Sequence, residues 1–367
     1  MKKQHILITV CLLLSLLVVS ARAAAGSSSD PLISLSYLED TFLTSLNREI
    51  DTRLDKSDRK LISGVSSDKD ESALQQFASG WTESRLKAQD TLYGTTGTNV
   101  LVLAGSMNVS FPFGAVVDVS TGSEVPSGSL LQLNHRYMVA EDTDALFTVT
   151  SKTAVVDYQG SYKIDPSNAT DYNAMAAALK TMNLFKGSFT GFGEGFDLEV
   201  APTRLQALIM FIRVLGEEEE ALAYTGTTPF HDIAPGTQAE KYVGYAYAKG
   251  YTNGYSATTF RPSQTIPVNQ YMEFILRAMG YSSTATSNLA TTMVRAVESG
   301  VISEAERVML QSSTFLRADL VYVSYYALDA YMADSSDTLR DVLLDRGVFS
   351  KSDSRKAGEL VTSNRLW

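Results

Sequence analysis

Phe230-His231-Asp232-Ile233, then Gly250-Tyr251-Thr252-Asn253-Gly254-Tyr255, then Phe260-Arg261-Pro262, and finally Ile266-Pro267-Val268-Asn269-Gln270: these four runs decide the fold of this chain. Between the first two runs, Ala239–Lys249 reads as a helix. After the last, the pattern continues to Arg277-Ala278-Met279-Gly280, where the glycine marks a helix end. Two further segments, one on either side, superimpose on this one. The upstream segment has a helix around Tyr172–Met182 and Asn183-Leu184-Phe185-Lys186-Gly187. Pro202-Thr203-Arg204-Leu205-Gln206-Ala207 then opens a second helix that ends at Arg213-Val214-Leu215-Gly216. The downstream segment has a helix Leu289–Glu298, Ser299-Gly300-Val301-Ile302, and Phe315-Leu316-Arg317-Ala318-Asp319 opening a long helix through Tyr326-Ala327-Leu328. Arg204 to Arg213, Val268 to Arg277 and Arg317 to Tyr326 are each nine residues apart, while the starts of the second helices lie 64 and 49 apart. The loops absorb the length differences and the helices do not, as expected of stacked helix–loop–helix units.

Residues 230–280 resemble the S-layer homology repeat in Phe-x-Asp-Ile, Gly-Tyr-x-x-Gly-Tyr, Phe-Arg-Pro and the Ile before a helix. The family signature ends in Ile-Thr-Arg-Ala-Glu, to which Thr203-Arg204-Leu205-Gln206 and Leu316-Arg317-Ala318-Asp319 are similar. The resemblance implies a triplet forming a three-pronged all-α bundle on an exported surface protein of a Gram-positive-type bacterium. It also implies noncovalent attachment to secondary cell-wall polysaccharide, often pyruvylated, with the signature arginine in the binding grooves. Carried over residue by residue, Arg204, Gln206, Arg317 and Asp319 become candidate polymer-binding residues. Thr203, Phe230, Asp232, Gly250, Gly254, Phe260 and Pro262 become the structural signature. Val268 stands where the family has Arg and Pro267 where it has Thr, so at most two intact grooves are implied. Gln206 and Asp319 replace the usual Glu, and the tryptophan common in the second repeat's first helix is missing, with Tyr242 the nearest aromatic.

Physical chemistry gives the signature two tasks. Thr203 and Gln206 have capping-box spacing. An arginine just inside a helix start sits beside first-turn N–H groups that can receive an anion, and its planar fork can grip a carboxylate.

The N-terminus reads as an export signal over residues 1–23: a basic start, an apolar run from Ile6 to Val19, then small residues with cleavage expected after Ala23 or Ala25. At about 14 residues that run is shorter than the ~20 of a bilayer span. Cys11, the one cysteine, lies inside it, so the mature chain is expected to have no disulfide or thiolate metal site. Loss of Lys2, Lys3 and Arg22, three cations and no acid, moves the formal charge from −10 to −13. Such a field does not steer the chain to nucleic acid or anionic membrane, and an anionic polymer would have to be held by local arginines and hydrogen bonds against it.

Residues 26–92 read as a helical segment. It begins with a flexible Gly-Ser leader, is broken near Ser63–Asp70, and has a second helix including Leu74, Phe77, Trp81 and Leu86. Residues 93–164 read as a small antiparallel barrel or sandwich, with strands at Val100–Leu103, Val116–Val119, Leu130–Leu133, Tyr137–Ala140, Leu146–Thr150 and Ala154–Tyr158. Repeats are expected over 165–225, 226–284 and 285–334, and a C-terminal helix and tail over 335–367. The fold class expected is therefore multidomain α+β.

Other groups carry weaker chemistry. His231 beside Asp232 suggests acid/base work, but the repeat explains Asp232 as a loop or capping residue. Glu217–Glu220 reads as a solvated face rather than a calcium site. Gly191-Phe192-Gly193-Glu194-Gly195 reads as a loop, not a phosphate cradle. Tyr242, Tyr245, Tyr247, Tyr251 and Tyr255 read as core or groove wall. No cofactor, metal or catalytic residue is expected. The leading expectation is an exported protein anchored to wall polymer by the repeats, with the front half as a display or interaction module. The alternatives are a cell-envelope enzyme with catalysis in residues 32–165, and repeats used only for protein–protein assembly.

Overall fold

The computed structural model describes residues 76–189, 194–281 and 289–367, together with Ser45, Arg48, Thr52 and Arg53. The chain divides into two units, 1–73 and 74–367, and the second holds the sheet and the repeats. The expected export signal, most of the 26–92 segment and Gly191 to Gly193 lie outside the described residues.

Nine strands form one curled antiparallel sheet: β1 (Gln76–Lys87), β2 (Thr91–Thr95), β3 (Asn99–Ala104), β4 (Met107–Ser110), β5 (Ala115–Asp118), β6 (Ser123–Val125), β7 (Arg136–Ala140), β8 (Asp144–Val149) and β9 (Thr153–Asp165). The order is β4-β8-β2-β9-β3-β7-β5-β6, with β1 added on β9. Alternation places Val100, Val102, Val116, Val139, Phe147, Ala154 and Val156 inside at 5 % exposure or less. Two expectations fail here. The second helix of the N-terminal segment is strand β1, and the sheet therefore begins at Gln76 rather than at residue 93. Leu74, Phe77 and Trp81 have helical spacing, yet Phe77 and Trp81 are 71 % and 45 % exposed. The buried pair on this strand is Ala78 and Leu86, facing β9 across a bulge. Leu130–Leu133 is not a strand either: Leu131 alone is buried there, and Leu130 makes a single bridge to Asn108.

Helices follow. The first repeat contributes α1 (Tyr172–Thr181), α2 (Arg204–Val214) and the short α3 (Glu218–Ala223). The second contributes α4 (Gln238–Ala248) and α5 (Val268–Ala278). The third contributes α6 (Thr292–Glu298), α7 (Glu304–Gln311) and α8 (Arg317–Ala327). The three second helices, α2, α5 and α8, are each 11 residues long and start at the positions that the register aligned. The C-terminal segment holds two helices, α9 (Leu339–Asp345) and α10 (Lys351–Leu360), the latter packing on α1. One apolar core runs from Tyr172 to Ala357, so this segment belongs to the bundle and is not a tail beside it. Among the described residues no helix is long and apolar enough to cross a membrane.

Candidate functional site

The candidate arginines both open a repeat's second helix. Thr203 caps α2 in a complete capping box: Gln206 N donates to Thr203 Oγ1 at 3.3 Å, and Thr203 N donates to Gln206 Oε1 at 3.0 Å. The next two donors are taken by a neighbouring repeat. Arg204 N donates to Gln264 O at 2.8 Å and Leu205 N to Pro262 O at 3.2 Å, while Ile266 N returns a bond to Pro202 O at 3.1 Å. The first-turn anion site expected beside Arg204 is thus already filled by carbonyls. The physical reason is that first-turn donors must be satisfied, and the turn at Pro262–Gln264 ahead of α5 supplies carbonyl acceptors to them.

The Arg204 side chain turns inward. It is 3 % exposed, its Nε donates to Phe260 O at 2.8 Å, its Nη1 donates to Gln270 Oε1, and its guanidinium lies 4.8 Å from the Phe260 ring centroid. Burial pulls its pKa down to about 10, against the favourable field of Tyr255 and Asp232, so it stays charged at neutral pH.

In the middle repeat, Asp232 is the staple. Its two oxygens accept from Phe260 N at 2.8 Å and Arg261 N at 2.7 Å. Burial alone would raise its pKa, but these backbone donors hold it below the ordinary carboxylate value. Phe230 packs against Phe260 and edge-on against Tyr247, and Gly254 at φ +81° lies so close that an added Cβ would fall 2.3 Å from the Phe230 ring. Gly250, at φ +75°, ends the first helix with open space around it. Pro262 supplies the carbonyl that caps α2. His231 is exposed, with its backbone N–H bonded to Thr258 O. Val268, in place of the arginine, is buried at the start of α5. Tyr242 and Tyr245 are buried, whereas Tyr247 and Tyr255 reach solvent, Tyr255 beneath the Arg261 guanidinium at 3.6 Å.

At α8 the same exchange recurs. Arg317 N donates to Val200 O at 2.9 Å and Ala318 N to Leu198 O at 3.0 Å, both from the first repeat's loop. Asp319 accepts from Leu316 N at 2.9 Å, half of a capping box. It is 1 % exposed, and its partner comes from the sheet: Lys152 Nζ, in the β8–β9 turn, donates to both carboxylate oxygens at 2.6 and 2.7 Å and to Ser313 Oγ at 3.2 Å. Arg317 is 9 % exposed with Nη1 3.7 Å from Asp197 Oδ2; burial lowers its pKa and Asp197 opposes the shift. The structure therefore places Arg204 and Arg317 on separate helices, each inside its own set of partners.

Several polar residues at the joints are not evident in the sequence. Glu217 and Glu218 are not a solvated face: Glu217 is buried and accepts from Tyr245, Tyr251 and Arg346, and Glu218 takes Lys186, Arg213 and Tyr242. Only Glu219 and Glu220 are exposed. Glu273 joins the second and third repeats through Thr292 and Arg295. Glu306, fully buried, accepts from Ser303 N, Tyr322 Oη and Arg365. Ser303-x-x-Glu306 is a capping box visible in the sequence; Lys152 and Glu217 carry no such local mark. Among the described residues no group of three His, Cys, Asp or Glu side chains is placed to hold a metal ion.

Residues 229–266 match the S-layer homology domain family, so this is an S-layer homology domain-containing protein, with the match on the middle repeat. Such domains are generally cell-wall anchoring modules that bind secondary cell-wall polysaccharide. No curated protein matches the chain. Among solved structures, procruciferin, an 11S globulin from Brassica napus, is similar at 13 % identity, 23 % of this chain, 22 % of that chain and TM-score 0.16. A dTDP-6-deoxy-D-glucose-3,5-epimerase from Legionella pneumophila is similar at 23 % identity, 25 % of this chain, 52 % of that chain and TM-score 0.16. A Clostridium thermocellum endo-1,4-β-D-xylanase 10B is similar at 10 % identity, 69 % of this chain, 58 % of that chain and TM-score 0.10. The chain thus spans about a fifth of the globulin and half of the epimerase, and these likenesses carry no argument.

Proposed function

We propose that this protein is exported and held noncovalently at the bacterial cell surface by its helical triplet, which binds secondary cell-wall polysaccharide, while the sheet domain is displayed. The supporting observation is the S-layer homology match on the middle repeat, set among three second helices of equal length. The polymer in this reading is anionic and pyruvylated, held by Arg204 and Arg317 after a local opening of their grooves, because both side chains otherwise face inward. Co-sedimentation of the full chain with purified wall sacculi tests it. Retention that disappears when the secondary polymer is stripped supports it, and equal retention on stripped sacculi overturns it.

A second reading has a specific observation in its favour. Arg204 is engaged by Phe260 and Gln270, and Asp319 by Lys152, all within the chain, so the side chains that would grip polymer are committed elsewhere, which leaves the triplet for protein assembly. Concentration-dependent self-association in analytical ultracentrifugation, with no polymer retention, favours it.

A further inference from the structure

The sheet domain carries a second group of side chains on its outer face, none of them among the repeats' candidate residues. Directly opposed residues in an antiparallel ladder share a face. Register therefore places Glu83, Asp157, Leu101 and Arg136 in one row across β1, β9, β3 and β7. Val100 and Val102, which flank Leu101, are fully buried inside, so the row lies outside. Register slips on β1 between Ala78 and Thr82, leaving Ser79, Gly80 and Trp81 opposite Gln159. Bulges of this kind re-aim side chains. Trp81 leans across the face to Arg136, three strands away in the sheet, with the guanidinium 5.7 Å from its ring centroid, and remains 45 % exposed.

The arrangement is braced. Gln159 Nε2 donates to Ser79 O at 3.1 Å and ties down the bulge. Arg136 Nε donates to Asn99 Oδ1 at 3.0 Å, which orients the guanidinium while its terminal nitrogens bond no described residue. Glu83 is steadied by Arg85 at 2.6 Å.

We propose that this face binds a neutral glycan, with a pyranose ring laid on Trp81 and its hydroxyls bridging Asp157 and Arg136. An indole offers a broad, rigid apolar surface to the C–H face of a sugar, and Leu101 supplies an apolar floor between acceptor and donor ends. Carboxylates accept hydroxyl hydrogens and the guanidinium donates to ring and hydroxyl oxygens. The ligand is neutral because Glu83 and Asp157 stand directly opposite each other and repel anions. Their mutual field, after burial, raises the pKa of Asp157. A protein partner is disfavoured: Trp81 and Leu101 lie among Glu83, Asp157, Arg85 and Arg136, with Phe77 beyond the bulge, so charged groups occupy the centre from which interfaces exclude them. The proposal goes beyond anchoring by the repeats and does not rest on it.

Two tryptophans, Trp81 and Trp367, are present in the chain, so a full-length Trp367→Phe variant reports on Trp81 alone. Its emission is titrated with a glucose hexamer and an N-acetylglucosamine hexamer. A saturable change with either is expected. Calorimetry on Trp81→Ala should show no binding, and Arg136→Ala or Asp157→Asn should weaken it about tenfold, a loss of about 1.4 kcal/mol, with Tm unchanged. No emission change with either hexamer, or equal binding by Trp81→Ala, overturns the proposal.

Discussion

Replacing Arg204 by alanine separates a structural arginine from a ligand arm. The substitution removes the Nε bond to Phe260 O, a charge-assisted bond of the kind that contributes roughly 1.5–3 kcal/mol. It also removes the guanidinium from the Phe260 ring, a cation–π contact of about 1–2 kcal/mol at a desolvated position. Gln270 Oε1 and Phe260 O lose their donor in a site that is 3 % exposed at Arg204. Because these losses overlap, the expected destabilisation is about 3 kcal/mol rather than their full sum. For a unit of this size, residues 74–367, that corresponds to a fall in Tm of roughly 5 °C. Arg204→Lys keeps the charge but reaches one acceptor in place of two, and should recover less than half of the loss. Thermal unfolding followed by far-ultraviolet circular dichroism measures both variants. A Tm for Arg204→Ala within about 1 °C of the parent, combined with lost wall retention, would refute the structural assignment and make Arg204 a ligand arm held in reserve.

Gly254→Ala should cost about 2–4 kcal/mol, since it adds a Cβ at φ +81° and 2.3 Å from Phe230, whereas Gly250→Ala, with free space, should cost about 1 kcal/mol; urea midpoints compare them. Lys152→Met strands the Asp319 carboxylate at 1 % exposure and should cost about 3 kcal/mol, with Asp319→Asn in the same chain restoring part of it; Tm of the single and double variants decides. Glu218 tends upward by burial, but bonds from Lys186, Tyr242 and Arg213 hold it down to about 2 in the folded state against 4.5 ordinarily. Its contribution is therefore complete above pH 4.5 and lost as pH falls toward 2. Glu218→Gln should flatten the acid limb of a Tm-against-pH curve, and an unchanged limb contradicts this account.

The repeat helices are legible in the sequence because their information is local: nine-residue spacings define α2, α5 and α8, and glycine stops at Gly216 and Gly280 end the first two, without reference to any contact. The capping box at Thr203 and Gln206 is legible for the same reason. What fills the first-turn donors is not, because Gln264, Pro262, Val200 and Leu198 come from other repeats. Strand β1 imitates a helix since Phe77 and Trp81 are outward-facing aromatics at helical spacing. Its true inward residues are the small Ala78 and the distant Leu86, on either side of a register slip. Four consecutive glutamates look solvated in one dimension. Glu217 is buried only because Tyr245, Tyr251 and Arg346 converge on it from distant parts of the chain. Long-range partners of this sort leave no trace in spacing.

The capping of one repeat's helix by another repeat's loop has a consequence for how freely the sequence can drift. Main-chain oxygens do at α8 what a threonine hydroxyl would otherwise be needed for, and they are present whatever side chains the loop carries. Leucine can therefore stand at position 316 without leaving the helix start bare. Tolerance of that kind is bought at the joint, not at the cap: shortening the loop at Leu198–Val200 would uncap a helix more than a hundred residues downstream. A deletion in the first repeat's loop would therefore be felt first at the start of the third repeat's helix.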